Sequence, residues 1–558
     1  MFAPKQLMVL CLLVISVAVC QEIVLPQESP EYWFRLGEEE LSRRQETVRN
    51  KREKAKNVIL FIGDGMGLAS VTAARIHRGQ MEKRHNNQDP LSWEKFPIAG
   101  LVKTYCLNEH VTDSSASATA FLSGSKVNAH TLGIDGTIAK NHCNVSREGH
   151  ELESIASMAI KLGLSVGVVT TTSVTHATPA ALYAHTASRW VQSDYDAQKL
   201  NLTDCIDTAA QLIDHFPGNQ FKVILGGGRQ KMTPNTTKDE EVDGAFGERL
   251  DKRNLVDEWR SKAGKRSYVW NRQQLLDVDF DNTDYLMGLF EQEHFSFELK
   301  NDTSNPKLSE MTAAAIRILQ KNEKGYLLLV EGGVIDLALH QNYAKFAITE
   351  VLAMEKAVET ARKMTNRDDT LVIVTADHSH TLTMPGYMSR NISIFGSKIQ
   401  EWGKLDDLPN PALVFANGPS ALRHTNGTET IQRLNLSTVD TEDLYFRQPA
   451  FIPLIEETHG GEDVGIWADG PEARLFTGTM ENTFIAHAIA CALCLNERMC
   501  KYCKYDDLAD VIKGHDANAN ADHCSRQELL LLLTTAFTIG SFVILLIMFV
   551  MKITQLRQ

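Results

Sequence analysis

The sequence predicts an α/β fold: a large, mostly parallel central sheet with helices on both faces. Three observations predict it. Five apolar runs of strand length, Val58–Ile62, Ser165–Val169, Lys222–Leu225, Tyr326–Val330 and Thr370–Val374, are separated by stretches of helical periodicity. The runs are continuous rather than alternating, as strands covered on both faces are. At 558 residues the chain can also bury the large core such a sheet needs.

Residues 1–20 read as a secretory signal peptide. Lys5 precedes an apolar run from Leu7 to Val19, and cleavage after Cys20 leaves Gln21 as the new N-terminus. Residues 21–56 form an N-terminal helical arm, with Ser29 as N-cap, Pro30 at the first helical position and a charge-rich helix running to Arg49. The main domain spans 57–500. Within it, about 385–453 lacks the strand–helix rhythm and carries scattered Pro, Gly and three sequons, which marks a smaller inserted subdomain over the rim of a site. Residues 501–528 are a Cys-containing spacer, and 529–551 are apolar and long enough to cross a bilayer of roughly 30 Å. Small residues at Asn518-Ala519-Asn520-Ala521 before a polar spacer fit a GPI-attachment signal, while Lys552 and Arg557 beyond the tail fit a transmembrane flank. The lipid anchor is the preferred reading. Either one puts the body of the protein on the outer face of the cell membrane.

Composition is ordinary for a globular chain, with 43% hydrophobic and 23% charged residues. A formal charge of −13 excludes a nucleic-acid partner bound through a basic footprint. It also means that an anionic substrate must find positive charge locally. Eight cysteines remain after removal of the signal peptide and enter an oxidising compartment. Cys143 and Cys205 bracket one candidate disulfide loop, and Cys494, Cys500, Cys503 and Cys524 crowd the C-terminal end. Cys106 and Cys491 sit in apolar contexts and read as free and buried. Sequons at Asn144, Asn201, Asn235, Asn301, Asn391, Asn426 and Asn435 suit a secreted glycoprotein.

The segments just beyond four of the strands carry chemistry. Val58–Ile62 leads into Gly63-Asp64-Gly65, and Ser165–Val169 into a threonine turn with His176 and Thr178. Tyr326–Val330 ends at Glu331-Gly332-Gly333, with Asp336 and His340 one helical turn apart beyond it. Thr370–Val374 ends at Thr375-Ala376-Asp377-His378-Ser379-His380. Open α/β sheets bind ligands outside the carboxyl ends of their strands. Any one of these pieces is better read as a solvated turn; four together are not. Mixed His and carboxylate sets suit zinc, and the all-oxygen set Asp64, Thr178 and Glu331 suits a hard cation such as Mg²⁺. The small-residue segment Val111–Ala120 looks like a helix start, where a hydroxyl can meet a phosphate held by backbone N–H groups. Ser114, Ser115 and Ser117 all qualify, and the residues alone do not choose among them.

Six stretches, Asn57–Gly67, Val111–Thr119, Thr170–Pro179 with Tyr183–Thr186, Val330–His340, Thr375–His380 and Thr458–Asp463, resemble the signatures of alkaline phosphatases, in the family's order from about Gln27 to Cys500. The similarity is closest to the animal membrane-bound type. It implies the alkaline phosphatase-like sheet with a crown-type insertion, and hydrolysis of phosphate monoesters through a phosphoserine on Ser114. It implies one zinc on Asp336, His340 and His459, and a second on Asp64, Asp377 and His378 beside Ser114, which is counted with the metal-site residues. Mg²⁺ would take Asp64, Thr178 and Glu331, Arg189 would grip two phosphate oxygens, and His176 and His380 would stand behind the ligands. Val334 and Leu337 are less polar than in mammalian relatives. Phe290 and Glu291 match part of the animal calcium site, but Asn305 stands at its later acidic position, which makes calcium doubtful. A homodimer is implied by the family, with small phosphorylated substrates as partners.

Other classes fit less well. Diesterases of the superfamily present a threonine nucleophile and lack the third-metal and arginine positions, and sulfatases need a Cys/Ser-x-Pro-x-Arg setting that is absent here. A non-catalytic cell-surface binding protein on the same scaffold is the alternative of a different kind; it predicts lost ligands, and none of the positions above is lost.

Overall fold

The five apolar runs become the middle of one ten-stranded sheet. The computed structural model describes residues 29–47, 54–83, 88–143, 148–400, 406–421, 434–500 and 503. Residues 1–501 form one compact unit and 502–558 a second, of which only Cys503 is described. The sheet's strands are β1 (Asn57–Gly63), β2 (Ile98–Lys103), β3 (Ser165–Ser173), β4 (Val223–Gly227), β5 (Arg266–Val269), β6 (Tyr285–Leu289), β7 (Tyr326–Gly332), β8 (Thr370–Ala376), β9 (Val464–Asp469) and β10 (Gly478–Glu481). Their spatial order is β10-β2-β9-β8-β1-β7-β3-β4-β6-β5. Every pairing is parallel except the two that β9 makes with β8 and β2.

Every residue of β1, β3, β4, β7 and β8 is buried, which is why these strands read as unbroken apolar runs. The five strands without such a run are short or lie outside the centre. In β2 exposed and half-buried residues alternate along most of its length, and β5 is mostly half-buried. Two groups of helices pack on the central strands. Leu308–Leu319 and Ala344–Met364 contact them directly, with Leu68–Met81 and Val334–His340 against Ala344–Met364; Ile155–Lys161 and Thr483–Leu493 also contact them, with Ser114–Ser123 against both.

The N-terminal helix forms over Pro30–Thr47 with Ser29 at its start: the Tyr32 N–H donates to Ser29 Oγ at 3.4 Å and the Trp33 N–H to Ser29 O at 3.3 Å. Residues 48–53, where the charge-rich run continues, lie outside the described residues. The helix docks on Thr483–Leu493 and buries Trp33 and Leu41. Between 382 and 453 the chain leaves the main sheet. Leu382–Thr383, Val414–Gly418 and Ala450–Pro453 form a three-stranded sheet, and Ser397–Lys398 pairs with Asn410–Pro411. Asn342, just behind the Val334–His340 helix, anchors this region: its Nδ2 donates to Asn417 O at 3.1 Å and its Oδ1 accepts from the Ser420 N–H at 3.1 Å.

Cys143 and Cys205 are joined, and Cys106 is free and buried. Cys491 departs from the sequence reading, because it is bonded to Cys500. The helix ends just before Cys494, whose left-handed backbone (φ 55°) reverses the chain and brings Cys500 back to a Cα–Cα distance of 4.8 Å. Cys524, residues 1–20 and the apolar tail lie outside the described residues, among which no helix is long and apolar enough to cross a membrane.

Candidate active site

Parallel register brings the strand ends to one level. Gly63 pairs with Gly332 on one side and with Ala376 on the other, so Asp64, the residues after Glu331, and Asp377 emerge together. Gly65 turns the chain at φ +67°, and a Cβ there would lie 2.4 Å from the His380 ring, so this turn needs glycine. The Gly65 N–H donates to Asp377 Oδ1 at 3.0 Å. Beyond β7, Asp336 and His340 lie on the same face of the Val334–His340 helix, with His340 Nε2 3.4 Å from Asp336 Oδ2. His459 arrives from far along the chain through a two-residue antiparallel bridge that sets it opposite His380.

Three histidines share one wiring. His340 Nδ1 is bonded to Glu457 O, His459 Nδ1 to Thr112 O at 2.7 Å, and His378 Nδ1 to Ser379 O at 3.2 Å. A ring that donates Nδ1–H to a carbonyl keeps the Nε2 lone pair free, which is how metal-binding histidines are oriented. The Nε2 atoms of His340 and His459 lie 3.2 Å apart, and His459 Nε2 is 3.5 Å from Asp336 Oδ1. His378 Nε2 is 3.2 Å from Asp377 Oδ2 and 3.5 Å from Asp64 Oδ1. Burial pushes His378 down to about 3 and holds His459 well below the usual histidine range, so both rings are neutral.

His380 is different. Its Nδ1 faces Glu457 and its Nε2 donates to Asp336 Oδ1 at 2.6 Å. Burial opposes its charge, but Glu457 and Asp336 push its pKa up to about 10. Held between Glu457 and Asp336, it orients the Asp336 carboxylate.

The carboxylates are crowded and under-satisfied. Burial first, then mutual repulsion, raises Asp64 well above the usual carboxylate range. Burial likewise lifts Asp377 to about 6 and Glu331 to about 7. Both oxygens of Asp64, Oε1 of Glu331, Oδ2 of Asp377 and Oγ1 of Thr178 are buried without a hydrogen-bond partner. Orphaned buried oxygens are costly unless a cation meets them. Ligand atoms converge in three groups, each within 4.8 Å: Asp336, His340, His380 and His459; Asp64, Asp336 and His378; and Asp64, His176 and Glu331. The first group is nitrogen-rich, as suits a borderline cation such as zinc, and the other two each hold two carboxylates and one histidine. His176 is in the third group, and its Nε2 accepts from Arg189 Nη2 at 3.1 Å.

Only the fold separates the three serines. Asp113 caps the Ser114–Ser123 helix, accepting from the N–H groups of Ser115 and Ala116 at 3.2 and 3.3 Å. It also accepts the Ser115 hydroxyl at 2.6 Å, and the Ser117 hydroxyl donates to Asp377 O at 2.7 Å. Ser114 Oγ lies 3.3 Å from His378 Nε2, among the ligand atoms.

Arg189 is buried beside it. Its Nη1 donates to Asp113 Oδ2 at 2.8 Å, which with Nη2 on His176 aims the fork toward Ser114's end of the helix. His130 and Arg189 hold Asp113 well below the usual carboxylate range against the opposing effect of burial.

Several contributors escape a reading of the sequence. Asp113 has the look of an ordinary cap residue. Glu457 accepts from the Thr381 N–H at 2.6 Å as well as holding His380, and is one of two glutamates before His459. Thr170 and Thr172 both hydrogen-bond Glu331 Oε2, the latter at 3.1 Å. His294 sets its ring against His176 at a centroid distance of 5.2 Å and accepts from the Ser173 N–H at 3.1 Å. Asn305 Nδ2 donates to Glu291 Oε1 at 2.6 Å, so that carboxylate has a hydrogen-bond partner.

The family model described as Alkaline phosphatase matches residues 55–495. The tissue-nonspecific alkaline phosphatase isozyme of Gallus gallus is 42% identical over 494 residues, 87% of this chain and 93% of its own length. The membrane-bound alkaline phosphatase of Bombyx mori is 40% identical over 483 residues, 84% of this chain and 86% of its own. Among solved structures, the alkaline phosphatase of Thermus thermophilus superposes with a TM-score of 0.57 at 23% identity, covering 83% of this chain and 96% of that one.

Proposed function

This chain belongs to the alkaline phosphatase family, and from that premise we propose that it hydrolyses phosphate monoesters to an alcohol and inorganic phosphate through a phosphoserine on Ser114. The observation that carries the reading is the placement of Ser114 Oγ. Of the three serines at this helix start it is the one that faces the ligand cluster, 3.3 Å from His378 Nε2, with the Arg189 fork held nearby by Asp113.

The chain's own residues divide the work. Arg189 and the helix N-terminus bind the phosphoryl oxygens, bidentate geometry favouring arginine over lysine. Ser114 Oγ attacks phosphorus in line, the P–O bond to the alcohol breaks, and the alcohol oxygen takes a proton. Water then attacks the phosphoserine and returns Ser114 as a free hydroxyl. Asp113 keeps Arg189 oriented, and His380 with Glu457 keeps Asp336 oriented. Asp336, His340 and His459 would hold one zinc, Asp64, Asp377 and His378 a second, and Asp64, Thr178 and Glu331 a magnesium. Bound there, such cations supply the positive charge that lowers the pKa of Ser114 and stabilises the entering and leaving oxygens.

The proposal extends to location and organisation. Residues 1–20 are removed on secretion, 57–500 form the catalytic domain with 385–453 as its insertion, and the 529–551 tail gives way to a GPI anchor on the outer face. A homodimer is expected. Treatment of intact membranes with phosphatidylinositol-specific phospholipase C should release the activity; retention would favour a transmembrane helix. For the function itself, metal analysis of the purified ectodomain paired with an aryl phosphate assay is decisive. Zinc and magnesium content with chelator-sensitive turnover supports the reading, and chelator-insensitive turnover overturns the metal assignment.

A further inference from the structure

Trp190 follows Arg189 directly, and its side chain is 48% exposed although Arg189 and Val191 on either side are buried. One exposed tryptophan would mean little by itself. This one is held against the phosphate-binding apparatus. Its ring centroid lies 5.0 Å from Arg189 Cζ and 6.1 Å from the His130 ring, the two rings tilted by 33°.

His130 is itself fixed in a costly conformation. Its backbone sits at φ +66°, a left-handed setting that a non-glycine residue rarely adopts. Two hydrogen bonds maintain it: its N–H donates to Asp113 Oδ1 at 2.9 Å, and its carbonyl accepts from the Arg189 N–H at 2.9 Å. The carboxylate that caps the Ser114 helix and aims the Arg189 fork therefore also sets His130, and Arg189 carries Trp190. Two rings are built onto the arginine that would hold the phosphoryl group, one of them open to solvent.

We propose that Trp190, supported by His130, is a stacking platform for the alcohol part of the substrate, favouring phosphate monoesters whose alcohol is or carries a planar aromatic ring, as in an aryl or nucleoside phosphate. The inference rests on the phosphatase reading of Ser114 and Arg189. In an in-line displacement the leaving group departs on the side opposite Ser114 Oγ. Trp190, half-exposed and 5.0 Å from Arg189 Cζ, would offer such a group a flat aromatic face. Stacking of a ring on an aromatic side chain is enough for roughly a tenfold preference.

The test uses the full chain and three esters: adenosine monophosphate, phenyl phosphate and glycerol phosphate. Trp190→Ala should lower kcat/KM for the two aromatic esters about tenfold while changing glycerol phosphate less than about twofold. The inhibition constant of inorganic phosphate should not move, and Trp190→Phe should restore most of the loss. Equal losses for all three esters, or weaker inhibition by phosphate, would mean that Trp190 acts only through Arg189 and would overturn the platform, as would no effect at all. If the unsubstituted chain turned over none of the esters, the phosphatase reading would fall first, a result distinguishable from either.

Discussion

Asp113 is the residue on which the largest number of site functions converge, and its replacement gives a graded prediction. The side chain is 6% exposed and accepts from five groups: the Ser115 N–H and hydroxyl, the Ala116 N–H, the His130 N–H and Arg189 Nη1. Asp113→Ala removes a helix cap, worth about 1 kcal/mol, and strands the buried Arg189 charge, which costs about 3–5 kcal/mol when one partner of a buried pair is deleted. The two overlap, so the expected total is about 4–5 kcal/mol. At this chain length that is a fall in Tm of only about 1 °C per kcal/mol. Asp113→Asn is the more informative variant. It keeps an oxygen for Ala116 and His130 and preserves the cap, but it offers Arg189 no anion. With the fork misaimed, a charge-assisted contact of about 2–3 kcal/mol to phosphate is lost, which predicts a fall of roughly 30- to 150-fold in kcat/KM. The assay is steady-state hydrolysis of an aryl phosphate together with competitive inhibition by inorganic phosphate, which should weaken in parallel. A Tm loss with unchanged kcat/KM and unchanged phosphate inhibition would refute the claim that Asp113 aims Arg189 and leave it a cap only.

Glu331 and Asp377 have their pKa values raised by burial to about 7 and about 6, from 4.5 and 3.8. Raised carboxylates stabilise the metal-free fold at low pH, and that contribution is lost as pH rises through the folded pKa values; cations reverse the sign by pulling the same groups down. The rise in Tm on adding zinc and magnesium to metal-free protein should therefore grow from about pH 5 to about pH 8 in calorimetry; a pH-independent increment would contradict the placement of these carboxylates at the cations. The Cys143–Cys205 bond closes a span of 62 residues that contains His176 and Arg189. Replacing both cysteines by serine should cost about 4 kcal/mol by loop entropy, read as a lower Tm and faster proteolysis of that span; an unchanged Tm would remove the bond from the account.

The legibility of the fold and site in the sequence depends on the demands each feature makes of its side chains. β1, β3, β4, β7 and β8 are legible because burial on both faces forces continuous apolar runs. β2, β5, β6, β9 and β10 are not: Ile98–Lys103 is half exposed, and Val464–Asp469 mixes Trp467 and Asp469 into a reversed strand. The ligand types after four strands are visible because carboxylates and histidines are conspicuous next to apolar runs. The choice of serine is not, since it depends on helical register: Ser115 turns back to Asp113 and Ser117 to the Asp377 carbonyl. Asp113 and Glu457 are hidden for a related reason, that a capping aspartate and a glutamate pair are commonplace until long-range partners, Arg189 and His380, give them a role. Cys491 misleads because an apolar helical context conceals a chain reversal three residues later.

The central claim is that Ser114 Oγ accepts the phosphoryl group. It is tested most directly by quenching the enzyme in acid during turnover of an aryl phosphate and mapping the phosphorylated peptide by mass spectrometry. The account predicts phosphate on Ser114 in the unsubstituted chain, and no phosphopeptide and no turnover from a Ser114→Ala variant that still folds and binds zinc. Phosphate on Ser115 or Ser117, or turnover sustained by Ser114→Ala, would contradict it.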